Sequence, residues 1–240
     1  MLSSALLRGW QRCLRGISQL TYPSLCIACG RSMQAGQSCF CASCRHLVPT
    51  SDMYSRQENE FTQRLWGRLP LLSGAAFFYF SRHSPVQRAM HQLKYRNNPE
   101  VGRKMGMEVG RKLRETEQYK TVEAIVPVPL HPDKERARGY NQSTMFAQGI
   151  AEALSVPVLD QVLQRRQFTG TQTRKRRLER HTNVNQVFAI AQPSSIRGKH
   201  ILLVDDVLTT GATLEECGTA LLSVPSTRLS SVTIAIAMKH

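Results

Sequence analysis

Apolar residues in this chain gather into short continuous runs separated by longer stretches in which they recur at helical spacing. Gly74 to Phe80, Val122 to Val128, Val162 to Gln164, Gln186 to Ile190, His200 to Val204 and Ser231 to Met238 read as strands. Pro85 to Tyr95, Pro99 to Leu113, Asn141 to Leu154 and Thr213 to Leu222 read as helices, two with Pro in the first turn and one with Asn141 as its cap. Runs without in/out alternation belong to strands buried on both faces. Strands alternating with helices predict an α/β domain whose mostly parallel sheet is flanked by helices. That domain occupies residues 71–240, behind an amphipathic helix over 1–20, a cysteine-rich module over 21–50 and a polar linker over 51–70. In the first helix Leu6, Leu7, Trp10, Leu14 and Ile17 share a face, suited to packing on the protein or to lying on a membrane surface.

Charge changes the picture. Lysine and arginine number 32 against 17 acids, a net +15 over 240 residues, which favours polyanionic partners such as phosphorylated sugars or nucleic acid. No apolar run approaches the ~18 residues that span a bilayer, and the first residues lack a secretory pattern. Seven cysteines, several in C-x-x-C pairs, suit a reducing compartment, so a cytoplasmic location is expected.

The most specific chemistry lies in Ile201 to Thr213, ILLVDDVLTTGAT. A buried strand runs into Asp205 and Asp206, at the carboxyl end where open α/β sheets place their ligands. Thr209, Thr210, Gly211, Ala212 and Thr213 then supply hydroxyls and N–H groups ahead of a helix, whose positive end attracts phosphate. Acids beside a phosphate cradle suit a ribose 5-phosphate, its vicinal hydroxyls facing the carboxylates. A P-loop NTPase is excluded because no G-x-x-x-x-G-K-[ST] string exists.

Two further clusters carry charge. Lys134, Arg136 and Arg138 follow Val126-Pro-Val-Pro and either hold a second phosphate group or form a solvated turn with Asp133 and Glu135. Residues 165–180 hold seven Lys or Arg, Arg174 and Arg176 among them, against Glu179 alone. Such a concentration of charge implies a polyanionic partner, such as a nucleic-acid backbone, or a mobile, solvated surface loop. In the cysteine module, Cys26-x-x-Cys29 and Cys41-x-x-Cys44 have the spacing of a zinc ribbon, with Cys39 a competitor for the second turn.

The 201–213 string resembles the phosphoribosyl pyrophosphate motif of type I phosphoribosyltransferases. Together with the cysteine turns, HQLKYRNN (91–98), VPVPLHPDKERARGYNQS (126–143) and TGTQTRKRRLERHTNVNQVF (169–188), it resembles the ComF/GntX family. The resemblance implies a type I phosphoribosyltransferase-like domain behind a small N-terminal zinc ribbon, and a role in using or taking up extracellular DNA. It also implies phosphoribosyl pyrophosphate or a related nucleotide as ligand, with magnesium carried on it. Lys134, Arg136, Arg138, Arg174 and Arg176 become pyrophosphate or lid candidates. Single-stranded DNA and DNA-uptake proteins are the implied macromolecular partners. The alternatives are an active phosphoribosyltransferase of nucleotide salvage or biosynthesis, and a nucleic-acid binding module on a catalytically idle fold.

Overall fold

The computed structural model describes residues 24–34, 39–165 and 187–238. The expected 1–20 helix, Cys13, and most of the basic segment, including Arg174 and Arg176, lie outside them. Four strands form one parallel sheet in the order β1-β6-β5-β2: β1 is Gly74–Phe80, β2 Ala124–Pro127, β5 His200–Leu208 and β6 Arg228–Ala237. β3 (Leu163–Arg165) and β4 (Phe188–Ile190) pair antiparallel in a separate ribbon flanking the basic segment. The helices are α1 (Ala42–His46), α2 (Glu60–Leu65), α3 (Pro85–Tyr95), α4 (Pro99–Arg114), α5 (Pro132–Arg138), α6 (Gln142–Leu154) and α7 (Ala212–Leu222).

The central strands bury almost every side chain: residues 201–204 on β5 and Val232, Ile234, Ala235 and Ile236 on β6 are inaccessible, as expected for strands covered on both faces. Neither sheet edge is left bare. Residues 49–51 lie antiparallel along β1, with Tyr79 N–H donating to Pro49 and Ser51 N–H to Phe77. Residues 157–159 run parallel to β2 and bracket Ile125 with two hydrogen bonds. Covered edges cannot recruit another strand.

Three expectations are corrected. Residues 51–70 are more than a polar linker: Asn59 caps α2 through Phe61 and Thr62, and Phe61 and Leu65 are fully buried. The charged stretch 132–138 is helical, started by Pro132 and stopped by Gly139 at φ 82°. Strand β5 continues four residues past Val204, because Asp205, Val207 and Leu208 keep their pairing with β6.

α4 and α6 pack with backbones almost touching. A Cβ on Gly149 would run into the Arg103 carbonyl, and one on Gly106 into that of Phe146. Side chains small enough to vanish let α6 approach so closely, and that approach fixes where its first turn meets β5. Gly149→Ala should therefore lower unfolding free energy by about 2–3 kcal/mol, the upper part of the overpacking range, in a urea titration.

Candidate functional site

Strand alternation sends Asp205 and Asp206 to opposite faces of β5, and each meets a different helix. On one side, Asn141 donates to the Val128 carbonyl at 2.9 Å and accepts from Ser143 N–H at 3.0 Å, tying the start of α6 to the end of β2. Ser143 then donates its hydroxyl to Asp205 Oδ1 at 2.9 Å, and Asp206 N–H donates to the same oxygen at 2.8 Å. On the other side, α3 buries Val86, Ala89, Met90 and Leu93 and delivers Lys94, whose Nζ lies 2.7 Å from Asp206 Oδ2. Tyr140 donates to the Leu93 carbonyl, locking the end of α3 beside the turn that starts α6.

Burial and the neighbouring Asp206 charge push Asp205 up to about 7 from its ordinary 3.8. The Asp206 N–H, Ser143 and Lys94 pull the other way without cancelling the rise. Two carboxylates on consecutive residues are thus held close at the cost of making one reluctant to ionise.

After β5 the chain turns through Thr209 and Thr210, both exposed, into Gly211 at φ 85°. A residue with a Cβ would be strained there. Gly211 is the N-cap of α7, and no side chain caps this helix. Its first-turn N–H groups have no intrahelical acceptors, the Ala212 N–H reaching Thr210 Oγ1 only at 3.5 Å. The five loop residues and the acid pair thus occupy one strand–turn–helix junction, α7 beginning at Ala212.

Of the pyrophosphate candidates, Arg138 sits on the rim. Its guanidinium lies 5.9 Å from the Tyr95 ring centroid, and it donates to Gln142. Lys134 and Arg136 are on exposed faces of α5, Arg136 paired with Asp133. Lys94 and Ser143, which contact the acid pair, are not singled out by the sequence alone, although both stand in the quoted motifs.

The sulfurs of Cys26, Cys29, Cys41 and Cys44 lie within 4.8 Å of one another, and the Cys29–Cys41 pair is 3.7 Å apart. Zinc–thiolate bonds of about 2.3 Å in a tetrahedron give sulfur separations of about 3.8 Å, so the four fit zinc. Burial pushes the Cys26 thiol up, but N–H groups of Cys41, Ala28 and Cys29 outweigh it and bring Cys26 down to about 6. Cys39, 1% exposed and outside the cluster, is held protonated by burial and by Glu108. The acid pair does not fit a resident magnesium: Lys94 already neutralises Asp206, and Asp205 receives two hydrogen bonds.

Two outcomes follow. Asp205 stays protonated in the fold to near pH 7, whereas unfolded it ionises around 3.8. The native state binds the extra proton between those values, so Asp205 costs stability as pH rises through that window. Asp205→Asn, keeping the acceptor oxygen, should raise stability at pH 8 by on the order of 2 kcal/mol, with little gain at pH 4, by denaturant titration. Separately, metal analysis should find about one zinc per chain, lost from the Cys26→Ser/Cys44→Ser variant and kept by Cys39→Ala. Metal retention in the double variant would refute the site.

The phosphoribosyl transferase domain family matches residues 141–239. Competence protein F of Haemophilus influenzae is 36% identical over 107 residues, covering 44% of this chain and only 47% of that protein. DNA utilization protein YhgH of Escherichia coli K12 is 27% identical over 220 residues, covering 85% of this chain and 92% of its own. Among solved structures, the glutamine phosphoribosylpyrophosphate amidotransferase of B. subtilis aligns with a TM-score of 0.40 at 18% identity, covering 59% of this chain and 30% of that one. A phosphoribosyl transferase domain in this chain, together with relatives named for competence and for DNA utilization, supports the ComF family.

Proposed function

We propose that this protein binds a ribose 5-phosphate compound, phosphoribosyl pyrophosphate or a related nucleotide, and serves in the cytoplasm in the use or uptake of extracellular DNA. The observation that carries the binding half is the junction itself. Two acids lie near the carboxyl end of the central strand, and an uncapped helix N-terminus follows that strand behind a left-handed glycine. The ribose hydroxyls donate to Asp205 and Asp206, and the 5-phosphate takes the N–H groups and hydroxyls of residues 209–213. Pyrophosphate extends toward Arg138, and magnesium arrives on it. The DNA half rests on the names of the competence and DNA utilization relatives and on the net +15 of the chain.

Among the described residues, no helix is long and apolar enough to cross a membrane. The zinc module covers one flank of the domain, where Phe40 meets Phe78 of β1 edge-to-face at 6.0 Å. Its four thiolates leave no open coordination position, so its role is to fold that flank.

The binding reading is tested by calorimetry of the whole protein against phosphoribosyl pyrophosphate with magnesium, and against single-stranded DNA, at two salt concentrations. Saturable binding of the small ligand is expected, with an affinity far less sensitive to salt than DNA contact would be. Thr213→Ala should weaken it by about 1–3 kcal/mol, the range for hydrogen bonds to charged groups. No affinity for any ribose 5-phosphate compound would refute the reading. Pyrophosphate release with an added acceptor would make the protein a transferase as well as a binder.

A further inference from the structure

The loop that would hold phosphate is itself held from far away in the chain. Helix α2 stands about 145 residues ahead of it, outside the matched phosphoribosyl transferase domain. Asn59 fixes this helix to the start of β1, donating to the Gly74 carbonyl at 2.8 Å while capping Phe61 and Thr62. Phe61 and Leu65 bury the inner face. On the remaining side, Arg64 reaches the Thr209 carbonyl at 3.1 Å and the Ala237 carbonyl at 2.6 Å, its side chain 7% exposed. In the turn that follows α2, Arg68 donates to the Thr210 carbonyl at 2.9 Å and grips Glu215 through Nε at 2.9 Å. Leu65 closes the floor: a Cβ on Gly211 would lie 2.7 Å from Leu65 Cδ2.

Peptide geometry gives this arrangement a consequence. In a planar trans peptide the carbonyl and the following N–H point in opposite directions. With the Thr209 and Thr210 carbonyls drawn to Arg64 and Arg68, the N–H groups of Thr210 and Gly211 turn away from α2. They join the uncapped first turn of α7. We propose that Arg64 and Arg68 are positioning residues that set the anion-binding geometry of residues 209–213, so that α2 is an integral part of the ribose 5-phosphate site. This deepens the reading above and rests on it.

The two arginines act through shape rather than net charge. Arg64 is paired with Glu60 and Arg68 with Glu215. A guanidinium spans two or three acceptors in one plane, which a lysine ammonium does not reproduce. Lysine at either position keeps the charge and loses the clamp.

The test uses the full-length protein with ¹⁵N labelling, in wild type, Arg68→Met, Arg68→Lys and Arg64→Lys. Arg68 is half-exposed, so its variants keep the fold even where Arg64→Lys does not. In free protein, the Thr210 and Gly211 amide resonances should shift in both Arg68 variants at an unchanged melting temperature. Both should bind ribose 5-phosphate about tenfold more weakly, the scale of one charge-assisted hydrogen bond. Unmoved amides, or full affinity restored by lysine, would overturn the clamp. If wild type itself bound no ribose 5-phosphate, the binding reading would fall, while the amide shifts would still decide whether α2 orients the loop.

Discussion

Two carboxylates on consecutive residues of a buried parallel strand repel each other and shed water, and the surroundings of β5 are arranged around that conflict. The molecule resolves it unequally. Lys94 neutralises Asp206 directly, while Asp205 is given donors, Ser143 and the next backbone N–H, and is left with burial that holds it near neutrality. Such a concession in stability is characteristic of sites that serve a ligand. A ligand that brought hydroxyl donors to the acids and an anion to the adjoining helix end would relieve it, and a phosphorylated pentose has both.

The scaffold holds Ser143 and Lys94 in range. α6 reaches β5 because Gly149 and Gly106 let it lie against α4 at backbone contact, and Asn141 pins its first turn to the end of β2. α3 reaches it because its apolar face docks in the core and Tyr140 holds its last turn. The N-terminal segment is bound into the same structure: residues 49–51 seal the β1 edge, and α2 lies against the loop after β5. The N-terminal flank thus contacts the loop after β5 directly.

What the sequence disclosed was local. An apolar quartet ending in two acids, then T-T-G-x-T, is a contiguous signal, and the four-cysteine spacing is another. What it hid depends on which elements meet. Lys94 follows the buried Leu93 and reads as an ordinary solvated helix residue until α3 is placed against β5. Ser143 reads as part of a cap for the same reason. Residues 51–70 did carry a usable signal: Phe61, Leu65 and Leu69 recur every four residues behind Asn59-x-x-Thr62. Polar neighbours masked that period. The end of β5 is hidden because acids suggest a turn, whereas pairing with β6 continues through them to Leu208.

The claim on which the rest turns is that one ligand spans the acid pair and the loop. A crystal structure of the protein soaked with ribose 5-phosphate tests it most directly. The vicinal hydroxyls should lie on Asp205 and Asp206, with the phosphate among the N–H groups of residues 210–213. A ligand bound with its phosphate elsewhere, or with Lys94 still on Asp206 and no hydroxyl at either acid, would contradict it.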